Sequence, residues 1–175
     1  GLDELLGGEG DDTLLGGADA DIVSGGTGND TIEGNAGNDV ISGGDGSDQI
    51  HGGSGNDVIE GDAGADILNG QSGNDDINGG SEGDKILGGG GKDTLSGGID
   101  NDTINGQSGD DVLLGGGGTD SLVGGDGNDL IEGVGTFVFI SDTTITEGDD
   151  GNQVATLTIS LTQPTVTNLM VSFAT

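Results

Sequence analysis

Aliphatic and acidic residues recur along most of this chain at a fixed interval of nine. From Gly7 to Glu132 the sequence divides into fourteen consecutive blocks of nine residues without an insertion, and residues 1–6 continue the same pattern. Position 1 of every complete block is glycine, position 6 is aspartate, and position 8 is Leu, Ile or Val. A fixed period of this kind is the sequence signature of a repeat architecture.

Each block predicts a glycine-rich turn followed by a short strand. Glycine at positions 1, 2 and usually 4 allows positive φ values, and positions 7 to 9 are typical of a three-residue strand with position 8 on one face. So short a strand must stack on its counterpart in a neighbouring coil. Two blocks would close one coil with their position-8 side chains inside. We therefore predict an all-β fold, a parallel β-roll or β-helix solenoid of about 7.3 coils and about 35 Å.

The aspartate column has no exceptions. A turn residue that only bonds its own backbone could be Asn or Ser at some of these positions, so a strict column favours a need for the charge. Stacking brings like charges together unless a cation lies between them. Calcium takes carboxylate and carbonyl oxygens, magnesium prefers more waters, and zinc is disfavoured without Cys and with a single His. The candidate metal ligands are Asp3, Asp12, Asp21, Asp30, Asp39, Asp48, Asp57, Asp66, Asp75, Asp84, Asp93, Asp102, Asp111, Asp120 and Asp129.

Charge and composition support a cation partner. The 175 residues contain 33 Asp and Glu but only two Lys and Arg, which gives a formal net charge of −31. Nucleic acid and anionic membrane surfaces are excluded as electrostatic partners, because both need a basic face. The sequence has no apolar run long enough to insert into a membrane and no cysteine. Without a cation, this composition predicts a disordered chain.

The block pattern Gly-Gly-x-Gly-x-Asp-x-aliphatic-x resembles the hemolysin-type calcium-binding repeat of RTX proteins. The resemblance implies that each calcium ion lies between turns one coil apart, held by position-6 carboxylates and turn carbonyls. Asp30 and Asp48 would share one ion, and Asp39 and Asp57 another. Fifteen turns on two edges allow about thirteen such sites, which would balance most of the charge. The carbonyls implied as further ligands are those of Gly26, Gly28, Gly44, Gly46, Gly53 and Gly55.

Several blocks depart from the pattern. Position 2 or 4 holds another residue in seven blocks, and we expect weaker or altered sites at the turns of Glu82 and Asp100. His51 lies at an outward position with no second His, which indicates a solvated side chain. Lys85 and Lys92 are expected to neutralise nearby acids, or alternatively to replace a cation at a damaged site.

After residue 133 the nine-residue period ends. Residues 134–175 are rich in Thr, Val, Ile and Phe, and Val154–Leu161 alternates apolar and polar residues. We predict a second unit, a truncated antiparallel β-sandwich segment following the 1–133 roll. The sequences Ile145–Gly148 and Phe173–Thr175 resemble the first part of a Calx-β domain. That resemblance makes Glu147 a candidate calcium ligand; otherwise Glu147 is a solvated turn residue.

The sequence therefore predicts a calcium-binding structural module and no enzyme, since its acids repeat a single environment. The resemblance implies a secreted or cell-surface protein exported by type I secretion machinery, of which this chain would be a fragment. The roll would be a spacer in a large adhesin whose parent protein binds cell-surface or matrix ligands. Alternatively, it is the appendage of an enzyme or toxin whose catalytic domain lies elsewhere. Aspartate rows that bind an ice or mineral lattice are a third possibility.

Overall fold

The computed structural model describes residues 1–132, which form β-strands and turns with no helix. Among these residues, therefore, no helix is long and apolar enough to cross a membrane. The strands are β1 (Glu4–Glu9), β2 (Thr13–Ala18), β3 (Ile22–Thr27), β4 (Thr31–Ala36), β5 (Val40–Asp45), β6 (Gln49–Ser54), β7 (Val58–Ala63), β8 (Ile67–Ser72), β9 (Asp76–Ser81), β10 (Lys85–Gly90), β11 (Thr94–Ile99), β12 (Thr103–Ser108), β13 (Val112–Gly117), β14 (Ser121–Asp126) and β15 (Leu130–Glu132).

Two parallel sheets face each other along the molecule. The odd-numbered strands form one sheet of eight, in the order β1 to β15, and the even-numbered strands form one of seven. Every paired residue lies eighteen positions from its partner, as Val40 does from Val58 in β5 and β7. This register confirms the predicted coil of two blocks and the division of the turns into eight on one edge and seven on the other.

The strands are twice as long as predicted. Each complete strand covers positions 7, 8 and 9 of one block and positions 1, 2 and 3 of the next, which leaves only positions 4 to 6 as the turn. Pairing is interrupted at position 1: in β3 and β5 the register passes from Ser24↔Ser42 to Gly26↔Gly44. The strand bends at this interruption and then resumes its pairing. The sequence-based prediction of a six-residue turn was wrong because glycine at position 2 bends the strand without ending it.

The core is one continuous cluster of aliphatic side chains, contributed by both sheets and packed between them. The eleven position-8 residues from Val23 to Leu113 are at most 1% exposed, and the four terminal ones, Leu5, Leu14, Leu122 and Ile131, are partly buried against them. Positions 7 and 9 face outward, so Val58 is 40% exposed beside the fully buried Ile59. The predicted position-8 core is confirmed.

Left-handed backbone occurs at positions 2 and 4 in each turn region. Glycine there has φ between 92° and 148°. The seven non-glycine residues with positive φ are the seven departures from the repeat, all with φ between 72° and 79°: Asp19, Asn35, Asp62, Gln71, Glu82, Asp100 and Gln107. The backbone geometry therefore persists where the sequence departs from glycine, at a conformational cost of about 1–2 kcal/mol per residue.

The predictions for residues 134–175 lie outside the described residues. These are the antiparallel sandwich segment, its Calx-β-like character and the role of Glu147.

Candidate metal centre

The position-6 aspartates lie in the three-residue turns, with their side chains directed into the rod. Eleven of them, from Asp21 to Asp111, are at most 3% exposed. Asp12, Asp120 and Asp129 are half-buried at the ends of the rod, and Asp3 is exposed in the first coil. A carboxylate is almost never fully buried unless it is paired or binds a metal. The columns therefore need a partner for each buried charge.

One oxygen of each buried carboxylate has a partner in the neighbouring coil. The backbone N–H groups of the thirteen aspartates from Asp3 to Asp111 donate to Oδ1 of the aspartate eighteen residues later, over distances of 2.7 to 3.1 Å. Asp30 donates in this way to Asp48, and Asp39 to Asp57. All fifteen aspartates take part, in thirteen such pairs. These are the pairs that, by the resemblance to RTX repeats, would share ions.

The other oxygen has no partner. Within the described chain, Oδ2 is buried without a hydrogen bond in the thirteen aspartates from Asp12 to Asp120. The surroundings of Asp30 are typical: a methyl group added to Gly25 would contact Asp30 Oδ2 and would lie 2.6 Å from the carbonyl oxygen of Gly43. The unpartnered oxygen therefore faces a glycine α-carbon of its own block and the position-1 carbonyl of the next coil.

Burial raises the pKa of the nine position-6 carboxyl groups from Asp39 to Asp111. The loss of hydration is the main cause, it is opposed by the hydrogen bond from the preceding coil, and repulsion between neighbouring aspartates raises the pKa further. The effect is largest in the middle of the rod, where the pKa of Asp66 is raised to about 7 and those of Asp75 and Asp84 to about 6. Near neutral pH, the metal-free columns are therefore poorly stabilised as anions.

A hard cation fits this arrangement. Thirteen buried anionic oxygens lack a hydrogen-bond donor, and the twelve from Asp12 to Asp111 lie near a main-chain carbonyl, so the donor set consists of oxygen alone. No three His, Cys, Asp or Glu side chains converge among residues 1–132, so carbonyls must complete any site. That combination suits calcium rather than zinc. The position-6 aspartates and position-1 carbonyls, such as Asp30 and Gly43, would hold the ion, which would supply the missing positive charge.

The carbonyls that the resemblance implies as ligands belong to positions 2 and 4 and point along the rod. A methyl group added to Gly44 or Gly46 would contact the carbonyl oxygen of Gly26 or Gly28, so these oxygens point along the rod at the same position of the next coil. The Gly53 and Gly55 α-carbons likewise lie against the coil before them. That these carbonyls bind calcium remains a prediction.

The position-1 carbonyl was missed by sequence reasoning, although a signal for it existed. Position 1 is glycine in all fourteen blocks, yet none of these glycines has positive φ. Position 2, which does require positive φ, tolerates Asn, Asp and Gln. Strict glycine without backbone strain indicates close approach rather than conformational freedom. Here the close neighbours are the buried carboxylate and the next coil's carbonyl.

Position 5 forms a second ladder that runs in the opposite direction. Backbone N–H groups donate to the side-chain oxygen of the residue eighteen positions earlier, as Asn56 does to Asn38 and Asn74 does to Asn56, both at 2.8 Å. These side chains are exposed, so either an amide or a carboxylate can accept the bond. The burial of position 6 distinguishes it from this tolerant neighbour.

The irregular turns retain the ladder. Asp84 still donates to Asp102 at 2.8 Å across the turns of Glu82 and Asp100. Those two acids add repulsion that raises the pKa of Asp84 and Asp102, after the larger effect of burial. Weaker calcium binding there remains a prediction.

The basic residues and His51 are peripheral to the columns. Lys92 helps to lower the pKa of Asp110, after the hydrogen bonds from Asn128, which fits its expected neutralising role. His51 is half-buried on the outer face of β6, 3.4 Å from the amide of Gln49.

Fold and site together define a parallel β-roll whose turns carry columns of buried carboxylates suited to binding cations. Family comparison agrees: successive matches to the RTX calcium-binding nonapeptide repeat cover residues 1–133. The chain belongs to this repeat family, and residues 1–132 are a calcium-binding structural module. No curated protein matches the sequence. The matches end at residue 133, so the Calx-β-like character of residues 134–175 remains a prediction.

Proposed function

We propose that this module is a calcium-dependent folding unit and spacer in a protein that is secreted and folds outside the cell. The observation that carries the proposal is the series of thirteen buried, unpartnered carboxylate oxygens. Each is costly in a metal-free rod and favourable beside a cation. Because the unfolded chain has no preformed sites, the free energy of calcium binding becomes free energy of folding.

The extracellular location rests on family membership and on expected affinity. RTX repeats occur in proteins exported by type I secretion, which supports export of the parent protein of this chain. Extracellular calcium modules bind with dissociation constants of about 10⁻⁴ to 10⁻³ M. A chain that folds only in that range would stay unfolded before export and become a rod afterwards.

A spacer role is supported by the uniformity of the rod. Its eleven buried aspartates occupy one repeated environment, whereas acid–base catalysis needs carboxyl groups whose environments differ. We therefore propose that the module is not catalytic itself. Of the two settings, a spacer between domains of an adhesin or an appendage of a catalytic domain, the resemblance of residues 134–175 to a Calx-β domain favours the adhesin.

Calcium titration of the full chain, followed by far-ultraviolet circular dichroism, tests the folding proposal. In metal-depleted buffer at pH 8 we expect an unfolded spectrum, and with calcium a cooperative gain of β signal at about 10⁻⁴ to 10⁻³ M. Magnesium at equal concentration is the control and should give much less signal, because it dehydrates reluctantly. A complete β spectrum in metal-depleted buffer at pH 8 would contradict the proposal.

A further inference from the structure

Position 2 differs between the two faces of the rod. On the even-numbered sheet this position alternates strictly along the rod between glycine and an amide residue, in the order Gly17, Asn35, Gly53, Gln71, Gly89, Gln107 and Gly125. On the odd-numbered sheet the only exception to glycine is Asp62. The amide residues therefore recur every second coil, at an interval of about 9.6 Å, twice the spacing of adjacent strands.

Two such residues are never adjacent along the even-numbered sheet. Gly53 follows Asn35 in the stack, and a methyl group on Gly53 would contact the carbonyl oxygen of Asn35 and lie 2.8 Å from its α-carbon. Gly89 and Gly125 have the same relation to Gln71 and Gln107. Each amide side chain is thus flanked along the rod by coils that carry glycine at this position. Along this sheet, projecting amide side chains therefore alternate with glycines. We call the amide side chains walls and the glycines between them floors.

A groove occupies the first interval between walls. We call it the amide groove: Asn35 and Gln71 form its walls, Gly53 its floor, and Glu33, His51 and Ser72 further lining. Its volume is about 360 Å³, within the range of small-molecule sites. The next interval, between Gln71 and Gln107 over Gly89, repeats the walls and floor.

The groove has unused hydrogen-bonding capacity. Among residues 1–132, the Gln71 side-chain amide, the Ser72 hydroxyl and the Glu33 carboxylate have no hydrogen-bond partner; Asn35 uses only its Nδ2, which donates to the Glu33 carbonyl at 3.2 Å. Strand β6, which carries the floor, is paired with β4 on one side and with β8 on the other.

The charge and the side chains around the amide groove exclude several classes of ligand. An anion would meet the carboxylate of Glu33 and a chain of net charge −31. A transition metal would lack a third ligand, since no three His, Cys, Asp or Glu side chains meet in the described chain. A peptide adding as a strand would need an open sheet edge, and β6 has none. An uncharged molecule rich in hydroxyl groups satisfies the amides, hydroxyl and carboxylate without these penalties.

We propose that the amide groove binds a neutral oligosaccharide lying along the rod, with Asn35 and Gln71 bonding its hydroxyl groups. The recurrence of the walls favours a linear chain of sugar units over a single monosaccharide. The groove requires the folded rod but not the ions themselves. A rod that folded without calcium would overturn the proposed function while leaving the groove open to the same experiment.

The test uses the full chain in saturating calcium, titrated by calorimetry with four neutral hexasaccharides: cellohexaose, maltohexaose, laminarihexaose and chitohexaose. Gln71→Gly removes a wall by restoring the repeat consensus, and Asp62→Gly makes the matched change on the opposite sheet. We expect at least one hexasaccharide to bind, at least tenfold more weakly to Gln71→Gly and unchanged to Asp62→Gly. Circular dichroism of both variants checks that the rod is retained.

Three results would overturn the proposal. The first is that no hexasaccharide binds the unmodified chain at millimolar concentration. The second is that Gln71→Gly and Asp62→Gly weaken binding equally. The third is preferential binding of a hexasaccharide of uronic acids or of an extended peptide over every neutral sugar.

Discussion

At the scale of single residues, the two oxygens of a position-6 aspartate have different roles. Oδ1 accepts a backbone hydrogen bond from the coil before it, and asparagine could do the same. Oδ2 is buried without a donor, and only a cation gives it a favourable partner. The strict preference for aspartate over asparagine thus depends on one atom.

Asp75 and Asp76 separate the two roles within one turn. Asp75 is 2% exposed in the column, whereas Asp76 is an exposed acid at position 7. We expect Asp75→Asn to raise the calcium concentration at half-folding roughly tenfold, equivalent to about 1.4 kcal/mol, because the neutral amide keeps the hydrogen bond but loses the charge. Asp76→Asn should leave the midpoint nearly unchanged. Equal shifts in calcium titrations of the two variants would show that only net charge matters.

Position 1 provides a second test at the residue scale. A methyl group on Gly88 would contact Asp93 Oδ2 and lie 2.8 Å from the Gly106 carbonyl oxygen, whereas one on Gly90, in the same strand, meets nothing closer than 3.5 Å. Neither glycine has positive φ. We expect Gly88→Ala to lower the free energy of unfolding by about 1–3 kcal/mol and Gly90→Ala to raise it by about 0.4–1 kcal/mol. Urea unfolding in saturating calcium measures both, and similar stabilities would contradict a close-approach role.

At the scale of the strand, stability depends on the single inward side chain. A six-residue strand places one aliphatic residue in the core, and its outward neighbours contribute little burial. Each strand is also paired on both sides except at the ends of the rod. Loss of one core side chain therefore leaves a cavity that both neighbouring coils adjoin.

Ile59 and Val58 in β7 test this asymmetry. Ile59→Ala should lower the free energy of unfolding by about 2–5 kcal/mol, since it removes a fully buried side chain. Val58→Ala should cost much less, because that side chain is 40% exposed on the outer face. Thermal unfolding in saturating calcium compares the two variants. A larger loss of stability for Val58→Ala would contradict the assignment of Ile59 to the core.

At the scale of the whole molecule, the columns link folding to protons as well as to calcium. The folded-state pKa of Asp66 is about 7 and those of Asp75 and Asp84 about 6, against an ordinary value of 3.8. Raised pKa values mean that the metal-free rod binds more protons than the unfolded chain between these limits. The resulting stability is fully present below about pH 3.8 and is lost as pH rises through 6 to 7.

Acidification should therefore partly replace calcium. In buffer depleted of metal by an ion-exchange resin, we expect the β signal in circular dichroism to increase as pH falls from 8 to 5. In saturating calcium at constant ionic strength, the signal should vary little over that range, because either bound calcium or bound protons stabilise the folded columns. A metal-free spectrum independent of pH would contradict burial of the columns.

Much of this architecture follows from the sequence because the period is constant. Every block repeats the same turn, so the coil length, the inward position of Ile59 and its equivalents, and the alignment of Asp30 with Asp48 all follow from counting. The identity of the cation also follows, since a strict column of carboxylates without Cys leaves few alternatives. Repetition turns a weak local pattern into a strong constraint on the fold.

Contacts between coils, by contrast, were decided only by the tertiary structure. From the sequence, we attributed glycine at position 1 to a need for positive φ. In the structure, Gly25 must lack a side chain because Asp30 Oδ2 and the Gly43 carbonyl lie against its α-carbon. The sequence pattern predicted a strand end at position 9, whereas pairing resumes beyond a bend at positions 1 and 2. The period determines which residues align in the stack, but the spacing of adjacent coils determines how closely they approach. That spacing leaves one carboxylate oxygen in each turn of the columns from Asp12 to Asp120 for a cation.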